Sequence, residues 1–104
     1  MAREQFQTLT EPMYYILLAL TEECCGVDIM EKVRGLSGGR VRVGPGTLYA
    51  MLGKFEENRI IRKTGEEGRR KSYIITDEGK EILKREYERL NRMAEDGKSR
   101  IERL

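Results

Sequence analysis

The chain has 104 residues, 37% of them charged and 38% hydrophobic, which is typical of one helix-rich globular domain with a modest core. It contains no histidine and only two cysteines, Cys24 and Cys25, which are adjacent; we therefore expect no catalytic residues, no metal site, no redox centre and no cofactor. No targeting signal is visible, and the longest apolar run is far shorter than the roughly 20 residues that span a bilayer, so we expect a cytoplasmic protein without a membrane partner.

Two helices are predicted in the first third of the chain. Thr10 can cap the first helix, whose other side is unusually apolar because it carries Tyr14 and Tyr15; this pattern indicates contact with a second chain. The two cysteines are interpreted as small apolar fillers at a helix end. The second helix is predicted from residue 27 to about residue 36, and its inward-facing residues are Ile29, Met30, Val33 and Leu36.

A third helix with an unusual outer face is predicted over the stretch from Gly44 to Asn58, with Pro45 in its first turn, and Asn58 is expected to leave it in a left-handed conformation. The preceding segment, residues 40–43, alternates arginine and valine and predicts a short strand. The helix has a buried stripe of Leu48, Met51, Leu52 and Phe55. Its opposite face is small and nearly uncharged, which would allow a large object to approach closely, and consists of Gly46, Thr47, Tyr49, Ala50, Gly53 and Lys54.

The remainder of the chain predicts a hairpin and a long helix. Residues 60–64 and 71–76 are β-branched and aromatic runs, so we expect two strands with a flexible tip at 65–70 and strand 40–43 as a third member. Six cations give residues 59–76 a net charge of +4. Thr76 can cap the last helix, along which apolar and small residues repeat at heptad spacing. This predicted dimerisation seam consists of Leu83, Tyr87, Leu90, Ala94, Gly97, Ile101 and Leu104.

This order of elements is typical of a winged helix-turn-helix, so the predicted fold class is mainly α with a small β wing. We divide it into a DNA-binding unit over residues 1–76 and a dimerisation helix over residues 77–104. In such folds the third helix enters the major groove and the hairpin lies along the flanking backbone, where cations neutralise phosphates. Tyr49 has an alternative role in packing against the wing, and Tyr73 is expected to be structural. The candidate DNA-binding residues are Arg40, Arg42, Gly46, Thr47, Tyr49, Ala50, Lys54, Arg62, Lys63, Arg69, Arg70 and Lys71.

Two motifs resemble those of the PadR-like transcriptional regulators: Gly46-Thr47-Leu48-Tyr49 in the third helix, and the segment 70–79, which reads Arg-Lys-Ser-Tyr-Ile-Ile-Thr-Asp-Glu-Gly. The chain is similar to the compact branch of that family, which ends in one long dimerisation helix. The resemblance implies a homodimeric repressor of a pseudo-palindromic operator on double-stranded DNA, which in some relatives is released by a planar aromatic effector. Because this chain has no tryptophan, a site built by stacking between tryptophans does not carry over.

Two other functions stay open at this point. One is a ligand-sensing module with an apolar space between protomers, although the same side chains could simply hold the dimer together. The other is a winged helix that binds only protein. The candidate ligand-binding residues are Phe6, Tyr14, Tyr15, Tyr87, Leu90, Met93 and Ala94.

Overall fold

The computed structural model describes residues 6–104, so the first five residues of the predicted DNA-binding unit lie outside the described part. The described residues form a winged helix-turn-helix followed by a long helix, as the sequence predicts. The elements in chain order are α1 (Glu11–Ala19), β1 (Cys24–Cys25), α2 (Gly26–Leu36), α3 (Pro45–Glu57), β2 (Ile61–Glu67), β3 (Arg70–Ile75) and α4 (Asp77–Glu102).

Side-chain caps begin the first and last helices at the predicted positions. The Oγ1 of Thr10 accepts a hydrogen bond from the Met13 N–H at 3.3 Å, and the Oγ1 of Thr76 accepts one from the Gly79 N–H at 3.0 Å. The Thr76 hydroxyl also lies 2.9 Å from the carbonyl oxygen of Ile60, to which it can donate. The start of α4 is therefore fixed against the beginning of the wing.

The sheet contains a strand that the sequence analysis missed. Its order is β1-β3-β2, all antiparallel, with Cys24 opposite Tyr73 and Cys25 opposite Ser72. The prediction of a strand at residues 40–43 is wrong, because this segment has no ladder partner; Val41 and Val43 instead anchor it in the core. The cysteines form β1, which the sequence did not predict, but they also lie at a helix end as expected: Cys24 is buried in the core and Cys25 is the N-cap residue of α2.

The wing is more ordered than the sequence suggests. β2 and β3 pair up to Glu67 and Arg70, so the predicted flexible tip at 65–70 shrinks to a turn at Gly68 and Arg69, with Gly68 at a φ of 62°. Thr64 forms a bulge between the paired positions Lys63 and Gly65.

Two further expectations about helix ends are wrong. The left-handed residue after α3 is Arg59, with a φ of 60°, whereas Asn58 has a φ of −94°. Leu36, predicted to face inward, is exposed at the end of α2.

All four helices contribute to one core. Its fully buried members include Ile16, Leu17, Leu20, Ile29, Val33, Leu48, Leu52, Phe55, Ile60 and Ile61.

Among the described residues, no helix is both long enough and apolar enough to cross a membrane. α4 is long, with 26 residues, but is rich in charge along its length. It extends beyond the core: from residue 87 onward none of its residues is buried. Half of α4 is therefore available to another molecule.

Candidate nucleic-acid interface

The outer face of α3 is exposed and largely uncharged, as its sequence predicts. Leu48, Leu52 and Phe55 are buried and fix the helix on the core. Pro45 occupies the first turn, where its missing N–H leaves no hydrogen bond unmade. The residues on the outer face are Gly46, Thr47, Tyr49, Ala50, Gly53 and Lys54, all exposed.

The wing and α3 border a common cavity of about 390 Å³. The start of α2 forms its third side. The three consecutive cations at the end of the wing, Arg69, Arg70 and Lys71, therefore lie beside α3. The lining residues are Cys25, Gly26, Val27, Tyr49, Leu52, Gly53, Glu56, Arg69, Arg70, Lys71 and Tyr73.

The two tyrosines of this cavity differ in their exposure. Tyr73 is buried and paired between Cys24 and Lys63, and burial raises the pKa of its phenol; it is structural, as expected. Tyr49 is half exposed, and its phenol packs over Gly26, where a Cβ would lie 2.6 Å from the hydroxyl oxygen. Tyr49 therefore bridges α3 and α2 while keeping one side open.

Most candidate phosphate-binding cations are exposed and lack a carboxylate partner. Lys63 is the exception on the wing: it pairs with Glu66 at 2.9 Å, and this hydrogen bond raises the pKa of Lys63. The candidate cations without an ion pair anywhere in residues 6–104 are Arg42, Lys54, Arg62, Arg69, Arg70 and Lys71.

Arg40 is engaged, unlike its neighbour Arg42. Its Nη1 donates to Glu11 Oε1 at 3.0 Å, and its Nη2 donates to the Tyr15 hydroxyl at 3.0 Å. The guanidinium also lies 5.9 Å from the centre of the Tyr15 ring, within the range of a cation–π contact. The Arg40 side chain is thus engaged by two residues of α1, unlike the candidate DNA-binding cations that form no ion pair with a described residue.

The predicted dimerisation seam divides at Tyr87. Leu83 is buried in the core of its own protomer, whereas the seam residues that follow it are exposed or, for Gly97, half buried. Met93 adds a further exposed apolar side chain. The exposed large apolar residues of this region are Tyr87, Leu90, Met93 and Ile101 in α4 and Leu104 just after it.

The candidate ligand-binding residues are only partly brought together. Tyr14 and Tyr15 meet edge to face with ring centres 5.7 Å apart, and burial together with the neighbouring Tyr87 raises the pKa of Tyr14. Leu90, Met93 and Ala94 are exposed further along α4. Phe6 instead lies in the core, 5.7 Å from the ring of Phe55, and does not join the exposed group.

Glu86 is a buried charged residue that sequence reasoning missed. It is 2% exposed, accepts the Leu9 N–H at 2.7 Å and pairs with Arg89. The hydrogen bonds from Arg89 and from the Leu9 amide lower the pKa of Glu86 despite its burial. No signal in the sequence marked it, because a glutamate in a charged helix is usually exposed.

Another cavity, of about 720 Å³, lies beside β1 and the wing strands. Its wall includes Cys25, whose thiol donates to Asp28 Oδ2 at 3.1 Å. Both cysteines are free thiols, and burial raises the pKa of Cys24. Within the described part of the chain, no cluster of three or more histidine, cysteine, aspartate or glutamate residues could hold a metal ion.

Two solved structures are similar to this chain over most of their length. One is the complex structure of hsRosR-S1, the RosR of H. salinarum: it is 26% identical, covers 97% of this chain and 88% of its own, and superposes with a TM-score of 0.69. The other is a PadR-like transcription factor from Bacteroides fragilis, 27% identical, covering 82% of this chain and 87% of its own at a TM-score of 0.64.

Sequence comparison assigns the family. An uncharacterized 37.1 kDa protein in transposon TN4556 of Streptomyces fradiae is 33% identical over 69 residues, which are 66% of this chain but 19% of that protein. The chain thus spans about a fifth of the length of the curated relative that it matches. The profile of the transcriptional regulator PadR-like family matches residues 16–85, well over half of the chain. The chain therefore belongs to the PadR-like family of transcriptional regulators.

Proposed function

We propose that the chain is a homodimeric repressor that binds a pseudo-palindromic operator through α3 and the wing. The observation that carries this proposal is the common cavity: Tyr49 and Gly53 of the outer face of α3 line it together with the three cations Arg69, Arg70 and Lys71. A duplex lying on this surface would meet base-reading and phosphate-binding groups at once. Residues 1–76 would form the DNA-binding unit, and residues 77–104 the dimerisation helix.

In this proposal α3 enters the major groove. Thr47, Tyr49, Ala50 and Lys54 would face the base edges, where a methyl group, a hydroxyl or an ammonium can each discriminate between base pairs. Gly46 lies in the first turn of α3, where backbone N–H groups without helical partners can bind a phosphate. The small side chains of Gly46, Ala50 and Gly53 on this face permit the close approach that groove reading requires.

The phosphate contacts would come from both sides of α3. Arg62, Arg69, Arg70 and Lys71 project from the wing without carboxylate partners in the described chain, and Lys63 would exchange its partner Glu66 for a phosphate. Arg42 precedes α3 and is also unpaired within residues 6–104. Each such contact releases condensed counterions, so binding should weaken steeply as the salt concentration rises.

The exposed half of α4 supports a homodimer. Tyr87, Leu90 and Ile101 of α4 and Leu104 just after it follow heptad spacing and are exposed in the protomer. A second copy would bury them and present a second α3. Recognition helices of such dimers enter successive major grooves, about 34 to 36 Å apart.

We further propose that a small aromatic compound releases the repressor from its operator. Tyr14, Tyr15, Tyr87, Leu90, Met93 and Ala94 would line an apolar space between protomers, with Phe6 behind α1 in the core rather than in the space itself. Tyrosine fluorescence and the melting temperature would be followed while aromatic compounds are added. A quench and a raised melting temperature would support an effector site, and a flat response would show that these residues only hold the dimer together.

The experiment that tests the proposed function is selection of bound duplexes from a random DNA library by the full chain. We expect an inverted repeat whose half-sites are about one helical turn apart. Recovery of a direct or single site would contradict the symmetric dimer. If no DNA is retained even at low salt, the alternative of a winged helix that binds only protein would replace the proposal.

A further inference from the structure

We propose that Arg40 is a positioning residue for DNA binding: it holds the segment that leads into α3 against α1 and does not contact phosphate. This inference rests on the proposed binding of DNA by α3. It reverses the role that the sequence predicts for Arg40, which groups it with the phosphate-binding cations.

Both terminal nitrogens of the Arg40 guanidinium donate hydrogen bonds. One terminal nitrogen donates to Glu11 and the other to the Tyr15 hydroxyl, each at 3.0 Å, while the guanidinium lies over the Tyr15 ring. A planar guanidinium can hold two partners in fixed directions, which an ammonium cannot. All of these contacts lie on α1, so the side chain ties the loop between α2 and α3 to that helix.

The segment held by Arg40, residues 37–44 between α2 and α3, is short and leads directly into α3. Ser37, at the end of α2, accepts the Val41 N–H at 2.9 Å, and the side chains of Val41 and Val43 are buried in the core. Arg40 fixes the outer side of the same segment. Only Gly44 separates Val43 from Pro45, the first residue of α3, so a shift of the loop would move the helix terminus that carries Gly46 and Thr47.

Tyr15 is linked to α4 through its neighbour Tyr14. Its ring meets that of Tyr14 edge to face, and burial together with the neighbouring Tyr87 of α4 raises the pKa of Tyr14. The Arg40 contact therefore joins the entry of the recognition helix to the surface proposed for dimerisation and effector binding. A ligand that displaced Tyr15 would remove one of the two polar partners of Arg40 and so weaken its hold on the loop before α3.

Arg42, two residues later, provides the contrast. It is exposed and forms no ion pair with any described residue, whereas Arg40 has two polar partners and a ring contact. The two arginines of one loop thus have different roles: Arg42 is available to a phosphate, and Arg40 shapes the loop.

The first test removes the partner of Arg40 instead of Arg40 itself. Glu11→Gln is compared with Glu22→Gln, an equal charge change at an exposed carboxylate without an ion pair in residues 6–104. If Arg40 positions the loop, Glu11→Gln weakens binding to the selected operator by about two- to fivefold relative to Glu22→Gln. If Arg40 instead binds phosphate, loss of the competing carboxylate tightens binding, and this result would overturn the inference.

The second test compares the salt dependence of two alanine variants. Arg42→Ala should reduce the slope of log affinity against log salt by about 0.9, the value for one lost phosphate contact. Arg40→Ala should weaken binding while leaving the slope of the unmodified protein unchanged. Equal losses of slope in the two variants would show that Arg40 is a phosphate contact after all.

Hydrogen exchange of the free full chain separates this inference from the proposed function. The amides of residues 41–44, 46 and 47 should exchange faster in Glu11→Gln and in Tyr15→Phe, which removes only the hydroxyl, and at the normal rate in Glu22→Gln. Unchanged exchange in both partner variants would overturn the positioning role even if the protein binds DNA. Conversely, faster exchange without any DNA binding by the unmodified protein would retain the loop contact and reject only its role in binding.

Discussion

The phenol of Tyr49 on α3 lies over Gly26, the first residue of α2, so closely that a Cβ at position 26 would be 2.6 Å from the hydroxyl oxygen. We predict that Gly26→Ala displaces the Tyr49 side chain and weakens operator binding by about three- to tenfold, a cost in the range usual for contacting residues. The measurement is a fluorescence anisotropy titration with the selected operator.

Gly35→Ala is the matched control, because it lies on the same helix and no atom lies within 4 Å of its added methyl group. It should bind DNA normally and be more stable by up to about 1 kcal/mol. Tyr49→Phe removes the atom nearest to the new Cβ, so the Gly26→Ala, Tyr49→Phe double variant should recover part of the lost affinity relative to Gly26→Ala. Additive losses in the double variant would show that the two residues act independently.

Glu86 is expected to make stability depend on pH. Its pKa is lowered by the hydrogen bonds from Arg89 and from the Leu9 amide, against the opposing effect of burial. A carboxylate with a lowered folded-state pKa stabilises the fold fully above its unfolded pKa, near 4.3, and this stabilisation is lost as the pH falls through the folded-state value. Denaturation of the unmodified protein should therefore require less urea as the pH falls from about 6 to about 3.

Replacement of Glu86 tests the same contact directly. Glu86→Gln should lower the free energy of unfolding at pH 7 by about 1 to 3 kcal/mol, the usual range for a buried hydrogen bond to a charged group, and should flatten the acid loss of stability. Glu88→Gln, at an exposed position of α4, should change neither quantity appreciably. Equal acid sensitivity of Glu86→Gln and the unmodified protein would assign the pH dependence to other carboxylates.

The exposed face of α4 is expected to hold two copies together. Leu90→Glu should raise the dimer dissociation constant by about 10- to 100-fold, because burial of a leucine contributes roughly 1.5 to 3 kcal/mol and a buried glutamate would add a desolvation cost. Ser99→Glu adds the same charge on the opposite side of the helix and should leave association unchanged. Sedimentation equilibrium measures both, and an unaltered dimer in Leu90→Glu would place the interface elsewhere.

Much of the fold follows from local sequence signals. Thr10 and Thr76 cap α1 and α4 because a threonine oxygen before an apolar periodic run satisfies N–H groups that the helix leaves free. Leu48, Leu52 and Phe55 of α3 recur at helical spacing, which puts them on one side of the helix, and this side faces the core. These features depend on residues only a few positions apart.

The errors occur where distant segments meet. β1 has two residues and exists because Cys24 and Cys25 pair with β3, almost fifty positions later, which leaves no periodic signal. The alternation at residues 40–43 was produced by Val41 and Val43 entering the core from a loop rather than by a ladder.

In the candidate site, too, the contacts that could not be predicted from the sequence join residues far apart in the chain. The exposed face of α3 could be read from its composition, but the engagement of Arg40 by Glu11 could not, since those residues are 29 positions apart. Burial of Glu86 likewise depends on the Leu9 amide, 77 positions away. Charge alone identified the wing cations, and only the fold places them beside α3.

The central claim is that α3 and the wing act as one DNA-binding surface, and the salt dependence of binding by a wing variant tests it most directly. The wing variant combines Arg69→Ala, Arg70→Ala and Lys71→Ala. Its control also loses three positive charges, through Lys98→Ala, Arg100→Ala and Arg103→Ala, at exposed positions at the end of α4 and just after it.

We expect the wing variant to lose affinity for all duplexes, and its slope of log affinity against log salt to fall by up to about 3, while the control retains a slope close to that of the unmodified protein. A wing variant with an unchanged slope would contradict the account, because its cations would then make no contact with phosphate.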